Sequence, residues 1–371
     1  MRRKEDNVKI LFAGRYSEEK ILSGPERTSK DIFDEYASNH SAVFLQYFFD
    51  GRKFSLFKKL FGKQTTEYGR GKVFTLGIFR IIPFLVSYRP EIIHLLNYER
   101  FAVILYLYRL VFKTTVIYSS HGIIKFENTV IKKLRGRKIY KDNFCERIFI
   151  RYSDKIIFPS EEAKNTAGKY YKLPEDKTVI IPNIAGGLFY DIAKINSESQ
   201  PIKAVIHYKN SLNKSGYEML LGTINLLKSN IDIYLLTNEL TGFQRGIFPK
   251  LYVHVMMPQD KLAEFYADKN VFLSLNSYET FSISTAEAMA SGLIPIITNE
   301  TGISAYINNG VNGFKIAYGD TSMLGEILDR ISSMNSDEII SLTQKAKETA
   351  EAFRIDKIFS RYLKLYRECV K

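Results

Sequence analysis

Short apolar runs rich in β-branched residues recur along this chain, separated by longer stretches whose apolar positions fall at helical spacing. The runs predict strands over Val8–Ala13, Ala42–Phe48, Val73–Leu76, Ile92–Leu96, Thr115–Ser119, Lys155–Phe158 and Val179–Ile181. A second series predicts Ala204–His207, Ile231–Leu236, Val253–Met256, Val271–Leu275 and Ile294–Thr298. Helical patterns fit between them, as in Ser29–Tyr36, Gly216–Leu227 and Lys261–Ala267. Such alternation calls for parallel sheets with helices on both faces. Ligands of such sheets bind outside the carboxyl ends of the strands, so the loops that follow strands are where chemistry is expected.

The stretch from Asn183 to Pro201 breaks the rhythm with Gly186, Gly187 and a polar Asn-Ser-Glu-Ser-Gln run. It marks a boundary between two blocks of similar pattern. The division expected is a first domain over residues 1–188, a second over 189–350 and an amphipathic tail helix over 351–371. In the tail Phe353, Ile358, Phe359, Tyr362, Leu363 and Tyr366 recur at helical spacing, which suits packing back on the first domain.

Length supports two cores: 371 residues exceed one ordinary domain, and 45% hydrophobic with 25% charged residues is a globular composition. Cys145 and Cys369 are far apart and lack metal-ligand spacing, as expected of a reducing compartment rather than a disulfide framework. The charged start, Met1 to Asp6, does not read as a secretory leader. The apolar runs Ile78–Tyr88 and Phe101–Phe112 are interrupted by Arg80 and Arg109 and fall short of the ~20 residues of a membrane span. Membrane contact would therefore be peripheral.

Charge changes the picture more. The net charge is +13, and residues 1–150 hold all of the excess, with 28 Lys and Arg against 15 Asp and Glu. A one-sided basic balance points to an anionic partner, the plain alternative being solubility. No zinc finger, ribonucleoprotein motif or helix-turn-helix accompanies the charge, so nucleic acid is not the expected partner. Two clusters carry much of it. Arg52–Lys63 sets Phe54, Phe57, Leu60 and Phe61 at helical spacing beside Lys53, Lys58, Lys59 and Lys63. Lys132, Lys133, Arg135 and their neighbours form the other. A basic amphipathic helix of the first kind suits an anionic membrane surface, whereas its phenylalanines would equally serve as core with the lysines solvated.

The segment Leu275–Gly292 carries the most specific chemistry. It leaves an apolar run, passes a polar loop and opens a helix that Gly292 stops. A helix start offers unpaired amides and a positive dipole end, which suit a diphosphate. Ser282, Ser284 and Thr285 add hydroxyls, and Glu279 and Glu287 stand eight apart. Two readings of Glu287 stand side by side: a ligand-binding carboxylate, or the acid of a Ser284-x-x-Glu287 capping box.

The run Y-E-T-F-S-I-S-T-A-E-A-M-A-S-G-L-I-P-I-I-T resembles the E-x7-E region of family 4 glycosyltransferases, the retaining enzymes of GT-B fold. The resemblance extends from about Val253 to Phe314, with weaker landmarks along most of the chain. It implies two Rossmann-like domains facing across a cleft. It also implies that Glu279 meets the donor sugar's hydroxyls, Glu287 the nucleotide ribose, and the amides around Phe281 and Ser282 the diphosphate. The family usually has glycines on either side of that phenylalanine, where this chain has Thr280 and Ser282. Lys209 and Lys214 keep the spacing of the family's Arg and Lys after the second domain's first strand, with Tyr208 in place of its glycine. Such cations would neutralise the leaving diphosphate. Gly24, in Ser23-Gly24-Pro25, resembles the family's glycine loop near phosphates and acceptor, and His121 resembles its strand-end histidine. No Asp-x-Asp pair occurs, and enzymes of this kind generally need no metal, so neither metal nor cofactor is expected.

The resemblance implies a hexosyltransferase using a nucleotide-sugar, with UDP as the expected nucleotide, acting in bacterial cell-surface polysaccharide assembly. The expected acceptor is lipid-linked or a glycan, and the expected place is the cytoplasm, at the inner face of the membrane where a lipid carrier is involved. The same fold would also serve a nucleotide-sugar epimerase, a glycolipid synthase or a catalytically silent adaptor of a partner transferase.

Overall fold

The computed structural model describes residues 8–19, 21–48, 54–130, 137–193, 201–208, 216–224, 226–238 and 251–370. They form two compact units, one of Met1–Pro182 with Ile358–Lys371, the other of Asn183–Lys357.

The first unit is built on eight strands: β1 (Ile10–Ala13), β2 (Ala42–Tyr47), β3 (Lys63–Tyr68), β4 (Gly71–Leu76), β5 (Ile92–Leu95), β6 (Thr115–Ser119), β7 (Lys155–Phe158) and β8 (Thr178–Ile180). Their order is β3-β4-β2-β1-β5-β6-β7-β8. All neighbours are parallel except β3, which runs antiparallel to β4. Strands β1 and β5 are buried at every position, as parallel strands covered on both faces must be. The helices are α1 (Gly24–Asn39), α2 (Leu56–Phe61), α3 (Ile78–Tyr88), α4 (Val103–Val111), α5 (Ile124–Val130), α6 (Arg137–Tyr152) and α7 (Glu161–Gly168).

The second unit holds β9 (Ile202–Tyr208), β10 (Ile231–Thr237), β11 (Leu251–Val255), β12 (Val271–Ser274), β13 (Ile294–Thr298) and β14 (Phe314–Ile316). They lie in the all-parallel order β11-β10-β9-β12-β13-β14. Around them stand α8 (Tyr217–Ile224), α9 (Gln259–Tyr266), α10 (Ile283–Ala290), α11 (Thr321–Ser333) and α12 (Ser336–Ala350). The last helix, α13 (Ile355–Cys369), gives Ile358 onward to the first unit. There Tyr366 meets His94 of β5, hydroxyl to Nδ1 at 2.7 Å, while the His94 Nε2 lies 2.9 Å from the Ser119 hydroxyl. Burial, with the nearby charge of His121 second, pushes the His94 pKa down to about 3 and keeps the ring neutral.

Two features depart from the sequence pattern. Strand β3, Lys-Gln-Thr-Thr-Glu-Tyr, has no apolar alternation and is held at the sheet edge by its antiparallel pairing to β4, with Tyr68 against Tyr16. The basic helix expected over Arg52–Lys63 is shorter: Ser55 caps α2 by accepting from the Lys58 amide, and Lys63 already belongs to β3. It ends at Gly62, where the backbone turns extended and where a Cβ would lie 2.5 Å from the Lys58 carbonyl. Phe57 is 71% exposed and Phe61 43%, so neither fills the core. Phe54 is half-buried, edge-on to Phe48 at 5.0 Å. Lys53, Lys132, Lys133 and Arg135 lie outside the described residues. Lys58 is exposed and Lys59 half-buried. No helix among the described residues is long and apolar enough to cross a membrane.

Candidate active site

In an open parallel sheet the crevice for a ligand opens where the strand order reverses, because the connections on either side of that point leave to opposite faces. The second unit reverses between β9 and β12. The segment after β9 contains Lys209 and Lys214, which lie outside the described residues. It ends at Gly216, directly before α8. Gly216 has φ +61° and passes so close to β12's exit that a Cβ would stand 2.1 Å from the Leu275 carbonyl. The entry to α8 is thereby brought against the start of the Leu275–Gly292 segment.

That segment is tightly held. Asn276 donates to Glu279 Oε2 at 2.8 Å, and the Glu279 amide and carbonyl engage Glu300 and Gly302. The Glu279 carboxylate is therefore half-buried and oriented at β12's carboxyl end. Phe281 is fully buried, edge-on to Phe353 at 5.2 Å, and its carbonyl accepts from Ile303. Ser282, the N-cap of α10, has φ +80° and ψ +77°, a left-handed conformation that favours glycine. Its hydroxyl lies 2.8 Å from that of Thr285 and 3.5 Å from that of Ser284. The structure thus gathers Glu279, Ser282, Ser284 and Thr285 at one helix start, where amides and dipole favour an anion.

Glu287 corrects the capping-box reading. It is the fifth residue of α10, whose N-cap is Ser282 rather than Ser284, and its side chain is buried. Its Oε1 accepts from the Gly186 amide and from Gln259 Nε2, each at 3.3 Å. A Cβ on Gly186 would come within 3.1 Å of that oxygen, so glycine is what lets the loop approach.

The first unit reverses between β1 and β5. At their exits Asn97 ties the two loops: its Oδ1 accepts from the Arg15 amide at 3.0 Å, and its Nδ2 donates to Ser29 of α1 at 2.9 Å. Gly14 leaves room for this, since a Cβ would stand 2.6 Å from the Asn97 Oδ1. Arg15 pairs with Glu26 at 3.0 Å and Glu99 at 3.4 Å. Glu26 also closes a capping box with Ser23, placing Gly24 as the first residue of α1. Burial pushes the Glu99 carboxyl up to about 7, against the pull of Arg15 and with the help of Glu26. His121 is half-buried directly beyond β6, next in the sheet after β5. Arg15, Asn97 and Glu99 escaped the sequence reading. Each is a single polar residue after a strand, the place where the general rule for such sheets directs attention.

Comparison with known proteins agrees with both units. The family described as "Glycosyltransferase Family 4" matches residues 24–184, and the family described as "Glycosyl transferases group 1" matches residues 244–352. The N-acetyl-alpha-D-glucosaminyl L-malate synthase of Bacillus anthracis is 32% identical over 116 residues, which span 30% of this chain and 30% of that protein. Among solved structures, sucrose-phosphate synthase from Thermosynechococcus elongatus superposes with a TM-score of 0.73 at 14% identity, covering 98% of this chain and 99% of that one. HepE of Anabaena in complex with UDP-glucose superposes with a TM-score of 0.72 at 16% identity, covering 98% and 100%. At such identities the two superpositions speak for the fold.

Proposed function

Since the chain belongs to the family 4, group 1 glycosyltransferases of GT-B fold and uses a nucleotide-sugar, we propose that it is a retaining hexosyltransferase whose donor is a UDP-sugar. The observation that carries this reading is the convergence of Glu279, Ser282, Ser284 and Thr285 at the start of α10, beside the strand reversal of the second unit. The UDP ligand of HepE supports the choice of nucleotide.

In this reading the α10 amides near Phe281 and Ser282 hold the diphosphate, and Lys209 and Lys214 neutralise it as it leaves. Glu279 accepts from the sugar's hydroxyls and Glu287 from the ribose, where a carboxylate makes charge-assisted bonds. The acceptor hydroxyl attacks C1 from the face the diphosphate leaves. The C1–O bond to the acceptor forms as the bond to the diphosphate breaks, the proton passes to the departing phosphate oxygen, and the configuration is retained. Helix end and lysines together supply the positive charge, so the reaction is read as metal-independent and cofactor-free. Gly24 and His121 present the first unit to the acceptor.

The acceptor is read as lipid-linked or a membrane-borne glycan in bacterial cell-surface polysaccharide assembly, met on the cytoplasmic side. The basic excess of residues 1–150 supports it, Lys58, Lys59 and the Lys132–Arg135 cluster being read from the sequence as partners of an anionic surface.

The test is nucleotide release from a panel of UDP- and GDP-sugars, with Glu287→Ala as control. Release from one donor, lost in the variant, identifies the donor. Binding without release means the acceptor must be added. Neither binding nor release from any donor would replace this reading with that of a silent adaptor.

A further inference from the structure

A surface helix of a folded domain ordinarily turns its apolar stripe inward and its charges outward. Helix α3 leaves much of its apolar surface outside as well. Of its eleven residues only Ile81 and Leu85 are buried, while Phe79 is 60% exposed, Ile82 39% and Val86 38%. Its neighbours continue the surface. Phe61 of α2 stacks on Phe79 with centroids 5.1 Å apart, and on α4, which packs on α3, Leu110 and Val111 are each 78% exposed. Large apolar side chains left exposed on helices that pack together mark a contact with a partner or a membrane.

Charge decides between the two. Helices α2, α3 and α4 contain no Asp or Glu, and their charged residues are Lys58, Lys59, Arg80 and Arg109. Arg89 caps α3, and exposed Lys113 follows α4. Arg80 is exposed and donates from Nε to the Phe61 carbonyl, which ties α3 to α2. Arg109 is paired with Asp154 at 2.5 Å, so two copies of this chain sharing the face would set Lys58, Lys59, Arg80 and Lys113 against their counterparts, with no acid on α2, α3 or α4 to meet them. An anionic lipid surface offers the complement to both halves, headgroups for the cations and the acyl boundary for the side chains.

We propose that α2, α3 and α4 form a seat on an anionic bilayer, with Phe79, Ile82, Leu110 and Val111 entering the interface and the cations among the headgroups. The inference deepens the reading of a membrane-borne acceptor and names the partner through which that acceptor is met. It departs from the basic cluster around Lys58 and Lys59 in assigning most of the binding to apolar side chains of α3 and α4.

The experiment is flotation of the full chain with phosphatidylglycerol–phosphatidylcholine vesicles and with phosphatidylcholine vesicles alone. It compares wild type, Phe79→Asp/Ile82→Asp and Leu110→Asp/Val111→Asp. UDP binding and the oligomeric state without lipid are followed in parallel. Wild type should float with the anionic vesicles, and each pair of substitutions should lower the partition coefficient about tenfold or more. UDP binding should be unchanged. Two separate pairs keep the test standing if one fails to fold. Absence of flotation, or equal flotation of both folded variants, would overturn the seat. So would a wild-type dimer that the substitutions dissolve and that ignores vesicles. Nucleotide release without flotation rejects the seat and leaves the transferase reading, whereas flotation without nucleotide binding or release does the reverse.

Discussion

The carboxylate of Glu287 reaches the amide of Gly186, 101 residues away in sequence, at 3.3 Å. A buried acid in mid-helix is thus the partner of a loop that leads into the second unit, and Gln259 shares the same oxygen. Removal of the acceptor leaves two partly buried donors without this partner. Glu287→Ala should cost about 1–3 kcal/mol in urea unfolding, and Glu287→Gln, which keeps a carbonyl in place, clearly less. If the carboxylate also receives ribose hydroxyls, Glu287→Gln should weaken UDP binding in a protein that melts close to wild type. Equal loss of stability in both variants would make the role of Glu287 one of charge within the fold.

Ser282 stands where glycine would be at ease. A left-handed residue with a Cβ costs about 1–2 kcal/mol, and the hydroxyl contact to Thr285 returns about 1 kcal/mol. Ser282→Gly should therefore be close to neutral, since strain and contact vanish together. Ser282→Ala keeps the strain and loses the contact, and should unfold about 1 kcal/mol more easily than Ser282→Gly. Chemical denaturation of the pair reads the difference directly.

Gly216 allows no such exchange. With φ +61° and a Cβ position 2.1 Å from the Leu275 carbonyl, an alanine must move either the start of α8 or the exit of β12. Gly216→Ala should cost about 3 kcal/mol or more and should weaken UDP binding as well, because the same displacement reaches the loop before α10. A melting curve together with calorimetric UDP titration checks both. Wild-type stability would show that the close approach is not needed.

Glu99 predicts a pH dependence. Its carboxyl is raised by burial to about 7 from an ordinary value of 4.5, so between these pH values the native chain holds a proton that the unfolded chain has lost. Stability through this group therefore falls as pH rises across the window, and the full loss is present above it. Glu99→Gln removes the effect. Its melting temperature relative to wild type should rise on going from about pH 4 to about pH 8. A difference that is flat or falls over that range would mean that Glu99 ionises freely in the native state.

Much of the scaffold was readable because its signal is local. Thr115–Ser119, Lys155–Phe158 and Ile294–Thr298 are strands over the residues that their apolar runs predict. Strand β3 was not, because an edge strand with polar residues on both faces takes its register from a partner rather than from burial. The E-x7-E segment was legible as a candidate site since its residues are close in sequence. The contact of Glu287 with Gly186 was hidden, and the capping box it mimics is a local pattern that the longer-range bond displaced. Asn97 and Glu99 were hidden for a different reason. They meet Arg15 only because β5 pairs with β1, and pairing across 82 residues leaves no mark on either segment.

The bond between His94 and Tyr366, 272 residues apart, bears on synthesis at the ribosome. The second unit is one uninterrupted stretch, Asn183–Lys357, and has all of its sequence as soon as that stretch has emerged. The first unit starts earlier and finishes later. Its β5 histidine waits, without its tyrosine, through the translation of everything between them. During that interval the groove that α13 will fill exposes Phe12 and Tyr36, both of which later pack against Tyr366. The earlier-made half of this protein is therefore the one whose exposed apolar surface a chaperone has longest to find.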